Sequence, residues 1–300
     1  MDRSFRFQPP ELRADLLLRP RLLVTLRRRW RHRITYLTGG PGLGKTTLLG
    51  QALADNLQAP QGRDLWLAAE PTDADADHLA HVVATMVAAW ANEAGSDLVR
   101  PGAGVAASAE AVADALWRQA PAQVCLVVDD VQLIPPGSPG AEWLRELVAR
   151  MPSNSHLLLA GRTEPPIPLG RYRGQGAVVA VTEDDLRFSD DELRAFAAER
   201  GIDRALLAGT GGWPAMAELT ARAVAEAETA AEAATAAGTG GGTGTRTETG
   251  AGTDAGTDGD IRPGHDHDGD HDGDHDGDHD GDHDGDGDHD GDHDGDGDHD

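Results

Sequence analysis

The chain has 300 residues, 39% of them hydrophobic, enough for one or two domains with a core, yet it also carries 38 Gly and a net charge of −26. The acidity belongs to the end: residues 265–300 hold 18 Asp, 9 His and 9 Gly with no Lys or Arg, while residues 1–225 carry 24 basic and 27 acidic groups. A single cysteine, Cys125, excludes an intrachain disulfide, and no apolar run reaches a signal-peptide core or the ~20 residues of a membrane span, so a soluble, cytoplasmic chain without a membrane partner is expected.

Residues 1–33 are basic, broken by prolines and end in Arg27-Arg-Arg-Trp-Arg-His-Arg33. Such a cluster on a short helix before a strand reads as a solvated face or an interdomain contact rather than a nucleic-acid arm. Residues 34–181 alternate short apolar runs with amphipathic stretches. Strands are predicted at 34–38, 64–68, 124–128, 157–160 and 177–181, and helices at 46–56, 76–93, 106–118 and 141–150. Strand and helix taking turns gives an α/β fold: a five-stranded parallel sheet flanked by helices.

Residues 182–236 contain no strand pattern and read as a small helical subdomain. Ser189 with Glu192 three positions on is a reciprocal capping pattern, starting a helix that runs to Arg200 and stops at Gly201. A short helix fits 203–207, and another begins at Pro214. From 237 to 300 the chain turns to Gly and Thr and then to a near-perfect His-Asp-Gly-Asp repeat, which has nothing to bury and is expected to be disordered. His156, at the start of a strand, and Cys125, inside one, read as structural.

The chemistry is carried by Gly39-Gly40-Pro41-Gly42-Leu43-Gly44-Lys45-Thr46, followed by Thr47, which matches G-x-x-x-x-G-K-[ST] between a strand and a helix. Glycines let successive amides curl into a concave donor nest, and the helix N-terminus adds its positive end, so the loop suits a nucleotide's phosphates. Lys45 is expected to reach the β and γ phosphates, and Thr46 to hold Mg²⁺ through its hydroxyl. The apolar run 124–128 ends in Asp129-Asp130; Asp129 is the metal-side carboxylate and Asp130 the group that orients or deprotonates the attacking water. Arg162, after the fourth strand, is expected to read the γ phosphate. A P-loop NTPase with ATP or ADP and Mg²⁺ follows, with Asp130 in place of a longer Glu making turnover slow.

These residues in order resemble the ATPase module of the STAND class, the signal-transduction ATPases with numerous domains, and within it the large ATP-binding LuxR-type (MalT-like) transcription regulators. The resemblance covers about residues 11–225: Arg19-Pro-Arg-Leu-Leu23, the phosphate loop through Leu49, Leu65-Trp-Leu67 leading to Asp73-Ala-Asp75, Leu126 to Ile134, Leu157 to Pro166, Asp185-Leu-Arg-Phe-Ser189 and Gly212-Trp213-Pro214. It implies a helical subdomain that closes over the nucleotide, Pro214 near adenine, and Arg19 and Arg21 near base or ribose. It also implies a switch in which ADP holds a closed monomer and ATP favours self-association. Such regulators continue into a winged-helix subdomain, a helical-repeat sensor and a helix-turn-helix, whereas this chain runs into its repeat. It therefore reads as a front piece, or as a regulator that has lost its DNA-reading part, with DNA engaged only through domains absent here. A small-molecule kinase, and a metal-buffering protein working through the His/Asp tail, stay open as alternatives.

Overall fold

The computed structural model describes residues 4–93 and 108–238. Five strands form its centre: β1 (Ile34–Thr38), β2 (Arg63–Ala68), β3 (Val124–Asp129), β4 (Ser155–Gly161) and β5 (Val178–Val181). They lie in the order β2-β3-β4-β1-β5 and every neighbouring pair is parallel. This order sets the C-terminal ends of β1, β4 and β3 side by side, and the chemistry-bearing segments all leave the sheet there.

The strands are apolar along their middles because the central ones are covered on both faces. Ile34, Tyr36, Leu126, Val128, Leu157 and Leu159 face a cluster formed with α3 (Ala76–Glu93), α4 (Ala109–Trp117) and α5 (Pro139–Arg150). The alternate residues Leu37, Cys125, Val127, Leu158 and Ala160 face a second cluster with α1 (Pro20–Arg27) and α2 (Lys45–Gln58). The period of two along each strand thus divides one apolar run between two cores. Cys125 is fully buried, and burial pushes its thiol far up in pKa, as an inert core residue requires.

After α5 come short α6 (Gly170–Gly174) and α7 (Glu183–Leu186), then α8 (Asp190–Arg200), a 3-10 helix at Arg204–Thr210, and α9 (Pro214–Gly238). Phe196, Leu207, Ala217 and Ala221 form a third core, with Leu17 and Phe188 packed on it. The capping box at α8 forms as its spacing predicts: Ser189 Oγ accepts from the Glu192 amide at 3.2 Å, and the Glu192 carboxylate accepts from the Ser189 amide at 2.9 Å. Gly201 ends the helix at φ 67°.

The basic cluster is largely spent on the fold. Arg27 pairs with Asp55, Arg33 donates to the carbonyls of Val148 and Met151, and Arg29, 1% exposed, pairs with Asp64. His156 sits 2.8 Å from both the His32 carbonyl and Gln123 Oε1, a structural position.

Departures from the sequence reading concern boundaries and short helices. β3 extends through Asp129, whose carbonyl accepts from the Ala69 amide at 2.9 Å. The helix expected from 106 begins at Ala109, capped by Ser108, and residues 106 and 107 lie outside the described residues. α6 and α7 were too short to carry a periodic signal, and α9 runs two residues past the expected boundary at 236. The disorder expected of the tail beyond α9 concerns residues outside those described. Among the described residues no helix is long and apolar enough to cross a membrane.

Candidate functional site

The loop between β1 and α2 runs along the carboxyl edge of the sheet. Gly44 is the N-cap residue of α2 at φ 76°, and Gly42 lies at φ 79°, a left-handed backbone that side chains resist. A Cβ on Gly42 would also lie 2.8 Å from Ala215 Cβ and 2.9 Å from Trp213 Nε1, so two physical reasons require glycine there. The loop amides gather at the foot of a 14-residue helix, the arrangement that favours anions.

Lys45 is buried at the start of α2, and its ammonium donates to the carbonyls of Gly39 (2.7 Å) and Gly40 (2.9 Å). Burial pulls its pKa below the ordinary range; Asp129, Asp130 and Glu183 oppose the shift and Arg162 adds to it. Thr46 Oγ1 donates to Asp129 Oδ2 at 2.6 Å, joining the first turn of α2 to the end of β3. Asp129 is 3% exposed, and burial pushes its carboxyl up, against hydrogen bonds from Thr46 and the Asp130 amide.

Asp130 turns sharply at φ 54°, which leaves its side chain exposed where β3 ends. Gln132 connects it to the neighbouring strand: its amide nitrogen donates to Asp130 Oδ1 at 2.9 Å, and its amide oxygen accepts from the Arg162 backbone N–H at 3.0 Å. The Arg162 side chain is exposed at the end of β4, between the ends of β1 and β3. Lys45, Thr46, Asp129, Asp130 and Arg162 therefore share one edge.

Thr46 and Asp129 offer only hard oxygen donors, one hydroxyl and one buried carboxylate, at hydrogen-bond separation. That donor set fits Mg²⁺, which takes one or two protein oxygens and completes its shell with water and phosphate oxygens. Among the described residues no group of three or more His, Cys, Asp or Glu could hold a metal by itself.

The helices after β5 grip the same loop. Trp213 Nε1 donates to the Pro41 carbonyl at 3.1 Å, the Ala215 amide donates to the Gly42 carbonyl at 3.0 Å, and the Gly40 amide donates to Glu183 Oε2 at 3.1 Å. Glu183 is in turn paired with Arg187, whose guanidinium lies 5.2 Å from the Trp213 ring centre. Glu183 had no local signal in the sequence, whereas Gln132, Arg187 and Trp213 stood in segments already singled out, without a role of their own.

A cavity of about 270 Å³ opens beside the loop, lined by Gly42, Leu43, Gly44 and Thr47 on one side and Phe188, Phe196 and Pro214 on the other. Pro214 and Arg19 both reach it; Arg21 is not among its lining residues. Arg19, 5% exposed, is held by Glu192 and by the carbonyls of Leu186 and Arg187, and Arg21 reaches the carbonyls of Asp185 and Arg187. Both arginines therefore fasten the segment before the sheet to the stretch from Asp185 to Glu192.

Residues 28–164 match the family model described as an AAA domain. No curated protein matches the chain. Among solved structures, the chain is similar to the ORC1 protein of Aeropyrum pernix, determined with DNA, at 17% identity and TM-score 0.43, covering 66% of this chain and 56% of that one. It is similar to a STAND protein of Pyrococcus horikoshii with a tetratricopeptide repeat sensor at 17% identity and TM-score 0.46, covering 71% of this chain and 30% of that one. It is also similar to the replication initiator DnaA bound to AMPPCP and single-stranded DNA, at 10% identity and TM-score 0.42, covering 70% of this chain and 63% of that one. The chain thus spans less than two thirds of each of these proteins.

Proposed function

We propose, from the premise of an AAA-type P-loop ATPase domain in this chain, that it works as an ATP-binding and slowly hydrolysing switch module of a transcription regulator. The reading rests on one observation above others: the helical subdomain bonds directly to the phosphate loop, through Trp213 to Pro41, Ala215 to Gly42 and Glu183 to Gly40. A group that enters the loop must therefore be felt by α7 and α9. Such coupling is what a switch requires, since a ligand shifts an equilibrium only by its different affinity for the two states.

In this reading the amides of Gly42 to Thr47 bind the phosphates and Lys45 leaves the Gly39 and Gly40 carbonyls for the β and γ oxygens. Thr46 and Asp129 would hold Mg²⁺, which supplies charge neutralisation at the phosphates when bound. Asp130 takes up a proton from, or orients, the attacking water, and Arg162 faces the charge that develops on the γ phosphate. Self-association in the ATP state belongs to the same proposal, and DNA would be engaged only through further domains. Phosphorylation of a small molecule has no observation in its favour among the described residues, and metal buffering rests on a tail that lies outside them.

The test is titration of ATP with Mg²⁺ against the parent and two variants. Lys45→Ala should lose tenfold or more in affinity, about 1.4 kcal/mol, because it removes a cation from a buried phosphate site. Asp130→Asn should bind like the parent and hydrolyse more slowly. Unchanged binding and turnover in both would overturn the assignment.

A further inference from the structure

We propose that Gln51 selects the base of the nucleotide, its side-chain carbonyl accepting a hydrogen bond from the 6-amino group of adenine. The inference rests on the nucleotide-binding reading above and deepens it. Gln51 lies one turn beyond Thr47 on α2, and Thr47, Leu48 and Gln51 together line the cavity beside the loop. Six residues separate it from Lys45, a helical rise of about 9 Å, which suits a base whose phosphates sit at the helix foot. Leu16, Leu17, Phe188 and Phe196 give the cavity apolar lining that suits a flat ring, and Arg13, Arg19, Arg200 and Glu218 line it too.

Gln51 itself is 6% exposed and half satisfied. Its Nε2 donates to the Leu17 carbonyl at 2.9 Å, while its Oε1 is buried with no partner. The bond to Leu17 fixes which end is which, because a main-chain carbonyl can only accept. The orphaned atom is therefore an acceptor, and among the described residues lining the cavity Gln51 is the one with a buried, unpaired side-chain polar atom. Adenine brings a donor at position 6. Guanine and hypoxanthine bring an oxygen there, which would face another oxygen and leave both unpaired. A site that hydrogen-bonds a ligand amine rejects the analogue without it far more strongly than an apolar pocket does.

The experiment compares ATP with inosine triphosphate, which keeps sugar and phosphates and carries a 6-oxo group, by calorimetric titration of the full chain and of Gln51→Met. The parent should bind ATP at least tenfold more tightly than inosine triphosphate. In Gln51→Met that ratio should fall to threefold or less, through weaker ATP binding and tighter inosine triphosphate binding, because the clash of two oxygens is removed as well. Tight binding of both nucleotides by the parent with a ratio near one overturns the role of Gln51 alone, as does a ratio that survives Gln51→Met. Binding of neither nucleotide overturns the nucleotide reading itself. Should Gln51→Met fail to fold, by circular dichroism, Gln51→Leu is read in its place by the same ratio.

Discussion

Lys45 and Asp129 hold opposite charges in one buried corner, and each is shifted toward its neutral form by burial. For Asp129 the sign is unfavourable to the fold. A carboxyl whose folded pKa is raised costs stability once the pH exceeds its unfolded value, and the full cost persists above the folded value. Asp129→Asn should therefore raise the melting temperature of the magnesium-free protein at pH 7 by about 2 °C or more, while weakening binding of the magnesium nucleotide. A lowered melting temperature would show that the ionised group is stabilising. The loop and this carboxylate were legible in the sequence because glycine spacing and a strand ending in acids are local signals. Gln132, Glu183 and Gln51 were not, because each acts through a partner distant in the chain: Gln132 reaches Arg162, Glu183 reaches Gly40 and Gln51 reaches Leu17.

Among the elements, the contact of the segment before α1 with α8 has the clearest energetic signature. Burial alone would raise Glu192, but bonds from Arg19 and the Ser189 amide, the charge of Arg19 and a bond from Arg21 hold its carboxyl below the usual range. A depressed carboxyl contributes stability above its unfolded pKa, near ~4.3 for glutamate, and loses it as the pH falls through the folded value. Glu192→Gln should destabilise the protein at pH 7 by about 2 kcal/mol and flatten the loss of melting temperature below about pH 4. An acid limb as steep as the parent's would remove Glu192 from this role. The capping box of α8 was readable from four consecutive residues. The ion pair was not, because Arg19 and Glu192 are separated by 173 positions and neither is anomalous locally.

At the scale of the whole molecule, the sheet order brings Lys45, Thr46, Asp129, Asp130 and Arg162 to one edge, while Pro214 lies on α9, and the alternation of apolar runs with amphipathic stretches was enough to foresee the five parallel strands. The strand order itself was not legible, since it depends on which crossovers pack against which face. α9 shows how far the fold's support extends. Ala221 is buried, and none from Arg222 to Thr235 is. Ending the chain at Arg222 should therefore leave the melting temperature within about 2 °C and ATP affinity unchanged. Any tight binding of Ni²⁺ or Zn²⁺ should disappear with the removed part. Metal binding retained by the shortened chain would place a metal site in the folded portion.

The foot of α9 is tied to the phosphate loop through Ala215 and Gly42, and the helix continues for 25 residues. At 1.5 Å per residue it is a rod of roughly 37 Å. A tilt of about 10° at its base would swing its far end through about 6 Å. The helix is thus a lever with its fulcrum on the loop, able to convert a sub-ångström rearrangement there into a displacement as large as a side chain.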